Sequence, residues 1–242
     1  EGDGLKIGLS LGAGLRDMSN IRASFGFIRG SSGSREMTGI FYSGGILVNQ
    51  AGVRFVDESS DIKTLGDRVL NEKRVFILFD ESMRLAQMAA RPNDRKLWEP
   101  LDHGIVPNYV MTGTSWEELA HKAHLSEKAL VDTVTSYNRA CMGQRRITPD
   151  RQSLASGWGK PIALHTKPFF IMPAYAGILG TYGGLAINNQ AQVLNQSGRP
   201  IPGLFAAGEV TGGVHGAGFM AGTSFAKANA FGRIAAVSIL HA

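Results

Sequence analysis

The sequence predicts a mixed α/β (α+β) fold in which both chain ends build one glycine-rich domain and the middle forms an inserted, mixed α+β domain. Three observations carry that expectation. The 31 glycines cluster in residues 1–52 and 167–242 and thin out between them. The middle carries helix starts with capping residues, such as Ser115-x-x-Glu118. The end of the chain runs from a short apolar strand, Leu204 to Ala207, through a glycine-rich loop, Gly208 to Gly222, into a long small-residue helix. A strand that stops in glycines and restarts as a helix turns bare backbone N–H groups toward an anion or a polar ligand edge. The expected segments are 1–60 and 167–242 for the end-built domain and 61–166 for the insert.

Residues 1–16 read as a loop opening a helix whose start Asp3 caps, with Gly8 and Gly12 leaving one face bare for close packing. Gly12-Ala13-Gly14 reads as the end of that helix. From Met18 to Met37 the pattern is weak. Gly39 to Tyr42, Ile46 to Asn49 and Val53 to Val56 read as strands, the last two joined at Gln50-Ala51-Gly52 into a β-hairpin. Asp61 to Lys73 reads as a helix, Arg74 to Asp80 as a buried strand and Glu81 to Ala90 as a helix. Ser115 and Ser126 open two more helices, the second ending near Cys141. His121 and His124 lie three apart on the first of these; with no third ligand in view, a solvated face is the default over a metal site.

After Arg145-Arg146 and a loop to Lys160, strands resume at Pro168 to Met172, Leu179 to Asn188, Gln192 to Leu194 and around Leu204. Thr223 or Ser224 is the expected cap of the last helix, Phe225 to Leu240. Between Lys167 and Ala242, Glu209 is the sole acidic residue, beside Lys167, Arg199, Lys227 and Arg233. A carboxylate just past a buried-looking strand needs hydrogen bonds from hydroxyls or backbone donors, or else serves as a loop cap. Gly216-Ala217-Gly218-Phe219-Met220-Ala221 matches G-x-G-x-x-A, but no strand follows to carry an acidic ribose ligand, so a nucleotide-binding βαβ unit cannot start there.

At 242 residues and 43% hydrophobic content the chain has material for one large or two smaller cores. Its net charge of +5 is spread thinly, with no basic stripe interleaved with aromatics. That argues against a nucleic-acid partner and for a modest attraction to anionic small molecules. The lone Cys141 excludes an internal disulfide and a cysteine-rich zinc site. With no signal-like start and no apolar run of spanning length, the sequence reads as soluble and cytoplasmic, a periplasmic location staying open, with no membrane span. Glu1 is not an initiator methionine, so the chain is expected to begin inside a longer gene product.

Gly45-Ile46-Leu47-Val48-Asn49 with Arg54-Phe55-Val56-Asp57-Glu58, Thr181-Tyr182-Gly183-Gly184-Leu185, and the run Ile201 to Gly216 together resemble the FAD-dependent fumarate reductase and succinate dehydrogenase flavoprotein family, which includes 3-ketosteroid dehydrogenases. The resemblance follows family order through the whole chain and covers the family's C-terminal half, without the N-terminal βαβ unit that grips the ADP part of FAD. It implies FAD as cofactor, a partial FAD-binding domain made by the chain ends, and a capping domain at about 60–165. Gly208-Glu209 fall where the family binds the ribityl hydroxyls. Thr223, Ser224 and Phe225 fall where a helix N-terminus meets the flavin's pyrimidine edge, its dipole favouring negative charge on the reduced ring. Asp3 matches the family's Gly-Asp-Gly near the cofactor.

The substrate side departs from the fumarate reductases. Their two carboxylate-binding arginines are replaced by Phe219 and Ile62, and their histidines by Gly180 and, nearby, Ser24. Without those clamps a dicarboxylate would be left desolvated and unpaired, so fumarate and succinate are not the expected substrates. Tyr182 is the first candidate for the proton role, its other reading being a buried aromatic with a satisfied hydroxyl. His215 is the second candidate, or it positions the loop. Phe219 implies a more apolar pocket. The expected function is an FAD-dependent oxidoreductase acting on a carbon–carbon bond of a small-molecule substrate. The alternative is a non-catalytic subunit or fragment that needs a separate nucleotide-binding half. Expected partners are the substrate, that missing N-terminal half and an electron-transfer partner.

Overall fold

The computed structural model describes residues 2–28, 37–155, 157–216, 218, 220 and 222–241. In chain order the elements begin with α1 (Asp3–Ser10), β1 (Leu15–Arg16), β2 (Ile21–Phe27) and β3 (Ile46–Asn49). Next come α2 (Ile62–Leu70), β4 (Val75–Asp80), α3 (Glu81–Ala90), α4 (Arg95–Asp102), β5 (Met111–Gly113), α5 (Trp116–Ala123) and α6 (Glu127–Cys141). The chain ends with β6 (Phe169–Thr181), β7 (Gly184–Leu185), β8 (Gln192–Leu194), β9 (Pro200–Phe205) and α7 (Thr223–Leu240). This is the expected mixed class. By contacts the chain divides into two compact units, Glu1–Ala23 with Ile178–Ala242, and Ser24–Gly177.

The second unit is built on a sheet of order β2-β6-β4-β3, with β5 also on β6. Every residue of β4 is buried, which is why Val75 to Asp80 is a near-continuous apolar run and not an alternating one. Its neighbours are antiparallel, with Ile46 opposite Leu78 and Met172 opposite Ile77. Around it, Phe79 stacks on Phe170 at 5.0 Å and meets Trp98 edge-on at 5.2 Å, while Trp116 stacks on Phe169 at 4.6 Å. Asp80 ends the strand and ties three segments together. Its Oδ1 accepts from Met83 N at 3.1 Å, capping α3, and its Oδ2 accepts from His165 N and Thr166 N, each at 2.9 Å.

The other caps of this unit are equally local. Asp61 accepts from Lys63 N and Thr64 N, and Ser126 from Ala129 N. Ser115 accepts from Glu118 N at 3.2 Å, but Glu118 returns its bond to Thr114 N at 2.8 Å, one residue before the partner a capping box uses.

Three expectations fail here. Gly39 to Tyr42 is not a strand: Ile40–Ser43 forms a 3-10 turn closed by Gly44 at φ 124°. The hairpin after Asn49 is reduced to one bridge, Val48 with Arg54. Glu58 is the reason. Its Oε1 accepts from Leu47 N at 2.9 Å, taking the donor a return strand would use, and its carboxylate draws in Arg54 at 2.6 Å. β6 also runs unbroken through Pro173, opposite Phe76, where the sequence reading placed a gap.

The first unit has a small core of Ala13, Leu185, Ile187 and Val193. β1 pairs with β7, and β8 with β9, whose turn is closed by Asn195 Oδ1 accepting from Ser197 N and Arg199 N at 3.0 Å. A Cβ on Gly8 would lie 2.4 Å from Leu185 Cδ2, so glycine lets α1 close onto β7. Asp3 does not cap α1: it is the first helical residue, exposed, 3.7 Å from Lys6, and Gly2 occupies the cap position at φ 73°. Likewise neither Thr223 nor Ser224 caps α7; Gly222 does, at φ 88°, without a side-chain bond. Among its described residues α7 buries Lys227 alone, and Phe225, Val237, Ile239 and Leu240 are exposed. No helix of the described residues is long and apolar enough to cross a membrane.

Candidate functional site

The first unit gathers most of the predicted site residues around the start of α7. Asn20, just before β2, accepts from Tyr182 N at 3.0 Å and donates through Nδ2 to Gly216 O at 3.1 Å. Asp17 Oδ2 accepts from Gly213 N at 3.0 Å. These bonds hold the Tyr182 turn and the glycine loop side by side. Tyr182 is buried, and its ring centroid lies 5.5 Å from that of His215. His215 Nδ1 is 3.2 Å from Thr223 Oγ1.

The Thr223 hydroxyl favours one tautomer of the imidazole. Its proton goes to Met220 O at 2.6 Å, so its oxygen can only accept from His215. His215 therefore carries its proton on Nδ1, and Nε2 is the basic nitrogen. Burial lowers the His215 pKa first, then the Lys227 ammonium; Arg22 adds to this and the Glu209 carboxylate opposes it. The ring is neutral at neutral pH. Lys227 is itself buried, its pKa lowered by that burial, and its Nζ donates to Thr211 O at 3.0 Å. Thr211 Oγ1 in turn donates to Gly208 O at 2.8 Å, which links the start of α7 to the Gly208-Glu209 turn.

Glu209 is exposed and accepts no hydrogen bond from the described residues. The expectation of a desolvated carboxylate held by the protein's own hydroxyls or amides is therefore corrected, and so is its reading as a side-chain cap. Asp3 stands one residue before Gly4, whose Cβ would lie 3.1 Å from Val210 Cγ2, so the start of α1 borders the same turn. Ser224 is half-buried and Phe225 is 79% exposed. Phe219, read as an apolar substrate contact, lies outside the described residues. Ser24 and Ile62 belong to the second unit, where Ser24 Oγ is buried without a hydrogen-bond partner among the described residues. His121 pairs with Glu127 at 3.0 Å and His124 ends α5; no metal-binding group of three ligands occurs among the described residues.

The loop fits a cofactor with a polar edge. A Cβ on Gly216, Gly218 or Gly222 would meet nothing within 4 Å, so the protein's own packing does not demand glycine there. Positive φ accounts for Gly216 and Gly222, at 58° and 88°. Gly218 has neither reason; its N–H donates to His215 O at 3.3 Å and its Cα side is open, which leaves room for a ligand to approach the backbone. Thr223 N donates to Met220 O at 3.2 Å, whereas the N–H groups of Ser224 and Phe225 begin α7 without a side-chain cap and are donors suited to the carbonyls and nitrogens of a flavin edge.

Asn20 and Lys227 belong to the site without lying in any of its sequence motifs. Asn20 acts across 196 positions and leaves no local signal. Lys227 did leave one, as the lone cation in the first turns of an otherwise small and apolar helix.

A family model described as "FAD binding domain" matches residues 1–225. The chain is 31% identical over 236 residues to a fumarate reductase (cytochrome) of Shewanella frigidimarina, covering 97% of this chain and 38% of that protein. It is 31% identical to an NADH:acrylate oxidoreductase of Vibrio harveyi, covering 98% of this chain and 22% of that one. Among solved structures, 3-ketosteroid-delta4-(5alpha)-dehydrogenase from Rhodococcus jostii RHA1 superposes with a TM-score of 0.71 at 28% identity, over 98% of this chain and 45% of the other. The chain thus spans less than half the length of each of these proteins.

Proposed function

Because the chain belongs to the FAD binding domain family, we propose that it is part of an FAD-dependent oxidoreductase that adds or removes hydrogen across a carbon–carbon bond next to an activating group. The observation that carries this reading is the grouping of Tyr182, His215 and Thr223 beside the uncapped start of α7. The chemistry FAD supplies when bound is hydride exchange with one substrate carbon. Asp3, Gly208, Glu209, Thr223 and the N–H groups of Ser224 and Phe225 would hold the cofactor. The residues of this chain handle the proton at the other carbon. Tyr182 O–H gives it when the bond is reduced and takes it back in the reverse direction, and His215 Nε2 exchanges it with water.

The proposed substrate is a small unsaturated molecule other than fumarate or succinate. Ile62 at a position expected to carry a carboxylate-binding arginine supports this, and so do relatives named for acrylate and for 3-ketosteroids. In each the reacting bond is polarised by a neighbouring carbonyl or carboxylate. Residues 61–166 are proposed to cap the flavin. The exposed apolar residues of α7 support a further partner, the nucleotide-binding half that completes the cofactor site.

The test is the visible spectrum of the chain after FAD is added and unbound cofactor removed, followed by turnover with an α,β-unsaturated ketone, acrylate and fumarate. A retained flavin and preference for the ketone or acrylate over fumarate are expected. Tyr182→Phe should lower that turnover by about 100-fold with the flavin spectrum unchanged. A colourless protein would sink the reading for this chain by itself, and Tyr182→Phe at full activity would remove the tyrosine from the proton step.

A further inference from the structure

The second unit holds a cleft that the flavin chemistry leaves unused. We propose that it binds a small organic oxyanion, carboxylate- or phosphate-bearing, through Arg145 and Arg146. The cleft encloses about 550 Å³, within the range of small-molecule sites, and lies between one face of α6 and the segment Arg145 to Thr148, with Arg54 in its lining.

Its charge is built from buried groups outward. Arg54 and Arg151, both buried, share a single buried carboxylate: Glu58 lies 2.6 Å from Arg54 and 3.9 Å from Arg151. Arg151 is otherwise held by carbonyls, Phe41 O at 2.6 Å and Gly45 O at 3.0 Å among them. Glu58 and Asp57 offset part of the charge of Arg54, but in the lining itself three arginines, Arg54, Arg145 and Arg146, face one carboxylate, Asp132. Tyr137, whose ring carries Arg54 at 5.0 Å, forms the apolar part of the wall.

The rim adds to the field. Arg145 and Arg146 are exposed neighbours, and their mutual repulsion is relieved by an oxyanion between them. Arg145 donates to Ser136 Oγ at 3.2 Å, which turns it over the cleft. Arg146 makes no hydrogen bond or ion pair with any described residue. The one carboxylate of the lining, Asp132, is paired with Lys128 and does not cancel the arginines. Across the Arg145–Ile147 segment a second cavity of about 330 Å³ is lined by Lys160 and Asp150, which offset each other, so the cationic excess there is that of the arginines.

Calorimetric titration of the full chain, with FAD present, tests this with citrate as the carboxylate probe and inorganic phosphate as the other. Saturable one-to-one binding of at least one is expected, and the tighter of the two assigns the ligand's anionic group. Arg145→Gln with Arg146→Gln should weaken it about 10-fold or more. Arg139→Gln, which removes an exposed charge of α6 outside the cleft lining, should leave it unchanged. Absence of saturable binding by both probes, or equal weakening by Arg139→Gln, would overturn the proposal. Because the rim arginines are exposed, melting temperatures of the variants should match that of the unaltered chain.

Discussion

Glu58 shows how far one side chain can decide the structure around it. Its carboxylate is fully buried, accepts from Leu47 N and pairs with Arg54, and thereby replaces a strand that the sequence pattern called for. Glu58→Gln keeps the shape and removes the charge, leaving two buried guanidinium groups without the carboxylate they share. An expected loss of about 3–5 kcal/mol follows, read as a lower urea midpoint with an unchanged slope. His215 makes the second prediction at this scale. Its folded pKa lies below the ordinary value of 6.5, so the unfolded chain takes up the proton first as pH falls. Stability should therefore decline as pH drops from the ordinary value through the folded one, and should level off below both. The measurement is the urea midpoint against pH for the unaltered chain minus that for His215→Gln. A flat difference would show that the imidazole has the same proton affinity in both states.

At the scale of elements, what could be read from sequence was what is decided within a few residues. The starts of α2, α3, α5 and α6 were legible because Asp61, Asp80, Ser115 and Ser126 satisfy backbone donors two to three positions on. The starts of α1 and α7 were misassigned because Gly2 and Gly222 occupy the cap position there and carry no side chain to announce it. The course of β6 through Pro173 and the loss of the hairpin depend on partners far along the chain. The same division holds in the candidate site: Tyr182, His215 and Thr223 lie in short glycine-marked motifs, whereas Asn20, which joins them, does not. Close backbone approach is a further property hidden from composition. A Cβ on Gly184 would lie 2.4 Å from Val210 O and 2.6 Å from Gly212 N, backbone atoms that cannot rotate away. Gly184→Ala is expected to cost about 3 kcal/mol. Gly180→Ala, whose Cβ would meet nothing within 4 Å, should change stability by no more than about 0.5 kcal/mol. Equal melting temperatures for the two variants would contradict the packing described at β7.

At the scale of the whole chain, an apolar content of 43% does not reveal how unevenly it is spent. The second unit has an extensive core of aromatic and branched residues, whereas the first has a small one and leaves much of α7 exposed. A long run of Ala, Ile, Val and Leu reads as a buried helix in any sequence; what covers it is not written in the run itself. The packing around Trp98 and Trp116 carries one more implication. All 3 tryptophans lie in the second unit, Trp98 and Trp116 in its core and Trp158 at 81% exposure, while the proposed cofactor residues belong to the first. Indole emission consequently follows the second unit, and the absorbance of a flavin bound as proposed would follow the site that holds it. With its cofactor bound the protein would carry two optical reporters, so melting of the second unit's core and loss of the flavin site could be recorded in one sample without attaching a label.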